Sequence, residues 1–160
     1  MRLFILTIFG IYGAVHVYAF LKVRAAFPFG VAGSILLGMF MAVMTVSPMM
    51  VRVLERYGHD GMARSLSWVG YTWMGVLFLF FSISLFTDVL RLTAHMASTI
   101  FHTDLSRFMP PSRQAFLIPL VLALVFSAYA YYEALHIRPE MITIRSPRIP
   151  PHIGRIRIVQ

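Results

Sequence analysis

Twenty-two consecutive residues, Leu66 to Thr87, carry no charge, and they constrain this chain more than any other feature. A helix rising 1.5 Å per residue needs ~20 residues to cross a hydrocarbon layer ~30 Å thick. Trp68, Tyr71 and Trp73 lie near one end of the run, where amphipathic rings favour the headgroup region. Asp88 and Arg91 close the other end. A helix apolar on every face for this distance is read as a membrane span.

Three further runs repeat the pattern. The first extends from Leu3 to Leu21, with Lys22 and Arg24 at its exit and Pro28 and Gly30 breaking the connection. The second extends from Val31 to Val51, and the fourth from Gln114 to Leu135 with Tyr129, Tyr131 and Tyr132 at its far end. Gly10 and Gly13 in the first run, and Gly30, Gly33, Ser34 and Gly38 around the start of the second, are small enough to admit a neighbouring helix or a second copy of the chain. Pro48 is expected to kink the second helix or end its regular bonding, whereas Pro119 falls early in the fourth, where proline is tolerated. The polar link Glu55 to Gly61 is short, so spans two and three are antiparallel neighbours. Residues 93–112, with His95, His102, Asp104 and Arg107, are too polar to span and are expected to form an amphipathic or partly irregular interfacial segment. The fold class is therefore an all-α membrane protein, a four-helix transmembrane bundle over residues 1–137 with spans at 3–21, 31–51, 66–87 and 114–135.

Composition agrees. Charged residues make up 12% of the chain, about half the usual share of a soluble domain, and the mean hydropathy is +0.76. The net charge of +8 does not point to nucleic acid, because the basic residues stand singly between apolar runs and in the tail. Nine of the 14 Lys and Arg residues fall on the side that four spans assign to both termini, so both termini are expected on the cytoplasmic side. The first apolar run is longer than a secretory signal core and lacks a small-residue cleavage site, so it reads as a retained span. With no cysteine, disulfides and thiolate metal sites are excluded.

Composition shifts again at His136. Residues 138–160 form a basic tail in which Met141 to Arg145 and Arg155 to Val159 alternate polar and apolar positions, the pattern of half-buried strands, around Pro147, Pro150 and Pro151. A two-stranded ribbon is marginal alone, so the tail reads as the beginning of a soluble domain.

Ionisable groups at membrane depth are the candidate functional residues. Spans one and three end on one side, so His16 is expected to approach Asp88. Arg52 and Glu133 share the opposite side, and Asp88 and Arg91 can pair within one helix. Such pairs either relay protons or fix helix register, and their position near the interfaces favours register. Bis-histidine haem is disfavoured, since His16 alone of the six histidines has the required depth. Gly58-His59-Asp60 looks like a fragment of a metal-binding loop but reads as a solvated turn, and no Walker loop, nucleophile elbow or paired carboxylates are present. No catalytic, cofactor-binding or metal-ligating residue is assigned.

Four spans, the segment VGYTWMGVLFLFFSISLFTDVLRL and the terminal IRSPRIPPHIGRIRIVQ together resemble the amino-terminal membrane region of bacterial transmembrane calcineurin-like metallophosphoesterases. The resemblance implies that Arg155 to Gln160 is the first core strand of a hydrolase domain holding two divalent metal ions. The Asp-x-His, Gly-Asn-His and Gly-His-x-His segments of that family would all follow Gln160, so no catalytic role passes to any residue here. The expected role is a membrane anchor, without phosphoesterase activity of its own, for a soluble domain of the same protein. The alternative is a self-contained membrane protein acting as a transporter or a subunit of a membrane complex. A polar cavity at the midplane around His16 would favour transport, and a dry bundle would favour anchoring.

Overall fold

The computed structural model describes residues 2–102 and 110–136, and these form four helices: α1 (Arg2–Ala26), α2 (Val31–Arg56), α3 (Asp60–Phe101) and α4 (Ser112–Leu135). All four are long and apolar enough to cross a membrane. The two segments of the tail expected as strands lie outside the described residues, as does residue range 103–109.

The connections explain the antiparallel order. Between α2 and α3 the chain reverses at Gly58, whose φ of 76° lies in the left-handed region that only glycine adopts without strain. Gly58 N–H donates to the Glu55 carbonyl and His59 N–H to the Leu54 carbonyl, a Schellman motif that satisfies the last carbonyls of α2. Asp60 then opens α3, its carboxylate at the positive end of the helix dipole. His59 is thus the N-cap residue of α3 and Asp60 its first-turn acid. Between α1 and α2, Phe27 packs edge-on against Phe116 of α4 at 5.7 Å, with the Arg113 guanidinium 5.3 Å from its ring.

Helix α3 departs from expectation. It runs 42 residues, to Phe101 rather than ending near Thr87, a length of ~63 Å at 1.5 Å per residue. The physical reason is that residues 88–101 contain neither Gly nor Pro and are rich in Leu, Ala, Met and Arg, which favour helix. Polarity ends a membrane span but does not end a helix. It stops at His102, whose backbone turns left-handed at φ 49°.

In the bundle α1 packs on α2, α3 and α4, and α3 packs on all the others; among the described residues α2 and α4 share no contact. The helices therefore form a ring with α1 and α3 as its short diagonal. Ala19, Met41, Leu77, Phe80, Phe116 and Ala123 make the core. Large apolar side chains face outward instead, with Leu36, Phe78 and Phe86 each about two-thirds exposed, as expected where lipid rather than water is the solvent. Small residues do set one contact, though not where expected. Among the described residues, nothing beyond the local helix backbone lies within 4 Å of a Cβ built on Gly10, Gly13 or Gly30, whereas a Cβ on Gly70 would stand 2.7 Å from Ser47 Oγ and 3.3 Å from Ser47 Cβ. The close approach is α2 on α3, at Ser47 and Gly70.

Cysteines placed at Ser47 and Gly70 should therefore oxidise to a disulfide in membranes, since bridged Cβ atoms sit about 3.5–4.5 Å apart. A pair placed at Arg52 and Glu133 should not. The chain has no native cysteine to interfere, and a gel-shift assay after mild oxidation reads both outcomes.

Candidate functional site

Two groups of polar side chains cross the α1–α3 diagonal. The inner one begins with Pro48. Lacking an N–H, it cannot bond the carbonyl of Met44, one turn earlier in α2. In lipid an unbonded carbonyl costs several kcal/mol, roughly, unless another donor reaches it. Ser47 Oγ donates to it at 2.9 Å and the Tyr12 hydroxyl of α1 approaches at 3.5 Å. Helix α2 thus continues past Pro48 instead of ending there, and the freed carbonyl becomes an anchor for α1.

His16 lies one turn beyond Tyr12 and is 3% exposed. Its Nδ1–H donates to the Tyr12 carbonyl at 2.9 Å, and its Nε2 accepts from Trp73 Nε1–H of α3 at 3.0 Å. A carbonyl can only accept and an indole N–H can only donate, so these partners fix the neutral ring with its proton on Nδ1. Phe40 of α2 covers the Trp73 ring edge-on at 5.0 Å.

The outer group lies near the end of the uncharged run. Asp88 of α3 accepts the Tyr18 hydroxyl at 2.7 Å and forms an ion pair with Lys22, both from α1. Lys22 is 16% exposed and Asp88 32%, a half-covered pair. Arg91, one turn further along α3, adds a second positive charge to the neighbourhood of Asp88. Tyr18 also stacks edge-on with Phe81 at 5.2 Å, which fixes its ring for the bond to Asp88.

The expected meeting of α1 with α3 at Asp88 is therefore made, but by Tyr18 and Lys22 and not by His16. The helices run parallel, and the Trp73 that holds His16 lies 15 residues before Asp88, or ~22 Å along α3. Arg52 and Glu133 do not pair either; both are exposed, on the two helices that do not touch. The sequence marks Trp73 only as an aromatic near the headgroup region and Lys22 only as the exit of the first span, and it singles out neither Tyr12, Tyr18 nor Ser47. The signal that points to Tyr12 and Ser47 is Pro48 itself, which announces a carbonyl in need of a donor.

Among the described residues, no three His, Cys, Asp or Glu side chains come together in a way that could hold a metal ion. A cavity of about 460 Å³ opens beside His16 between α1 and α2, walled by Gly13, Val17, Phe20, Met41 and Ala42 among others. Its wall is apolar, since His16 and Thr45 direct their polar atoms into helix carbonyls or Trp73. No protein-family model, curated protein or solved structure matches the chain.

Two sets of substitutions test these ties. Trp73→Phe keeps the ring and removes the N–H, and should lower stability by about 1 kcal/mol, the scale of interhelical hydrogen bonds in membranes. For the ion pair, Asp88→Leu should destabilise more than Lys22→Met with Asp88→Leu, with a coupling energy of about 1 kcal/mol. Unfolding in mixed detergent micelles measures both.

Proposed function

We propose that this chain is the membrane anchor of a metal-dependent phosphoesterase, in which residues 1–137 sit in the bilayer and residues 138–160 lead into a soluble hydrolase domain at its surface. One observation carries the anchoring part. The ionisable side chains of the interior and their partners tie one helix to the next: Tyr12 with Met44, His16 with Trp73, and Tyr18 and Lys22 with Asp88. A relay needs titratable groups in series along a hydrated path. Here His16 has both ring nitrogens bonded, and the cavity beside it is apolar. These features support a dry, rigid bundle over a transporter.

The phosphoesterase part is supported by the resemblance of the α3 segment and the basic tail to that family's membrane region. In the extended protein the two divalent ions would be held by residues after Gln160, and the bundle would set the distance of that domain from the lipid.

The test extends the chain through its downstream reading frame and assays phosphomonoester and phosphodiester hydrolysis with added manganese. Manganese-dependent turnover of soluble substrates is expected with or without residues 1–137, and sedimentation with membranes only when they are present. Equal turnover of lipid phosphoesters by both forms would limit the role of residues 1–137 to anchoring. No turnover by either form would overturn the phosphoesterase reading and favour a subunit of a membrane complex.

A further inference from the structure

The seam between α1 and α2 holds two cavities that share Phe20 as a common wall. The deeper one, about 460 Å³, exists because the facing positions are small. A Cβ on Gly13 would meet nothing within 4 Å, and one on Gly38 would meet only the Phe20 ring, at 3.9 Å. Its floor, His16, and its only hydroxyl, that of Thr45, have their polar atoms engaged elsewhere. Hydrocarbon is the chemistry such a slot accepts.

The shallower cavity, about 330 Å³, lies toward the end of α1 and the start of α2, where a span meets the headgroup layer. Its lining is of a different kind. Arg24 lies along it, its guanidinium 5.9 Å from the Phe20 ring. Among the described residues Arg24 makes no ion pair, in contrast to Lys22, which is taken by Asp88. Ser34 lines the same cavity, and its hydroxyl oxygen is buried without a hydrogen-bond partner. A free cation and an unpartnered hydroxyl together present what an anionic oxygen needs.

The order of these two linings along the seam, apolar at depth and cationic at the interface, is that of a lipid molecule. We propose that the α1–α2 seam binds one anionic phospholipid, with an acyl chain in the slot beside His16 and its phosphate at Arg24 and Ser34. The inference requires only that the bundle spans a bilayer and is independent of the phosphoesterase reading. Gly13 and Gly38 then serve as clearance for a lipid chain rather than for a neighbouring helix. Arg24 selects the headgroup by charge, while the slot supplies the greater part of the contact.

The experiment is native mass spectrometry of the purified chain, stripped in detergent and titrated with phosphatidylglycerol, phosphatidylcholine or inorganic phosphate. One phosphatidylglycerol should be retained per chain, at least tenfold more tightly than phosphatidylcholine, and phosphate alone should give neither a bound species nor thermal protection. Gly13→Leu, which fills the slot, should reduce retention of both lipids at least tenfold. Arg24→Gln should erase the preference for phosphatidylglycerol and leave phosphatidylcholine retention unchanged. Gly10→Leu, in open space on the same helix but outside the slot, should change neither. Formation of the Ser47–Gly70 cysteine bridge in each variant checks that the bundle remains assembled. Equal retention of both lipids by the wild type and all variants would show only annular lipid and overturn the proposal. Phosphate binding at Arg24 without lipid retention would overturn it as well.

Discussion

A proline within a lipid-embedded helix leaves one carbonyl that the solvent cannot hydrate, and the middle of this bundle is arranged around that deficit. Pro48 removes the bond to Met44, Ser47 restores part of it locally, and Tyr12 brings α1 to the same point. Ser47 is also the residue that Gly70 admits at close range, so α3 joins the same level. From Tyr12 the chain of bonds continues to His16 and then to Trp73. Three helices are thereby registered against one another by a single missing hydrogen. In a soluble protein water would cancel most of this effect; in a bilayer it is among the strongest directional forces present.

The second tie works differently. Lys22 and Asp88 stand where the uncharged part of α3 ends, and both keep some exposure. Their attraction is stronger there than at a protein surface in water and the desolvation penalty smaller than at the midplane. With Tyr18 they hold α1 against α3 at the interface, while the Pro48 level holds them at depth. Two fixed points along a parallel helix pair define both its spacing and its rotation, and α4 then packs against this diagonal through Phe116 and Ala123.

Much of this was legible in the chain. Uncharged runs and their lengths give four membrane helices, and the brief polar link through Gly58 gives the antiparallel turn. The pairing of α1 with α3 through Asp88 also follows from counting which ends share a side. What did not follow was the partner. His16 and Asp88 are the conspicuous ionisable groups, but parallel helices meet only at equal height, and sequence separation along two different helices does not report height. Arg52 and Glu133 failed for a topological reason, since the ring order of four helices is not written in any one of them. Within the chain, Gly10 and Gly13 meet no neighbouring helix, while Gly70 admits Ser47, because which small residue is used depends on where the large ones are. The length of α3 was missed because hydropathy marks the edge of the membrane, and only Gly, Pro or a capping signal marks the end of a helix.

That length gives the molecule two unlike faces. On one side α2 turns into α3 within three residues, and the bundle meets the headgroups as a low surface. On the other, α3 continues for fourteen residues from Asp88 to Phe101, ~21 Å at 1.5 Å per residue. Val89, Leu92, Met96 and Ile100 recur along it at helical spacing, all of them exposed. The effect is that of a post at one end of the bundle: on the face opposite the end of α4, α3 carries an apolar stripe that the other described helices leave exposed.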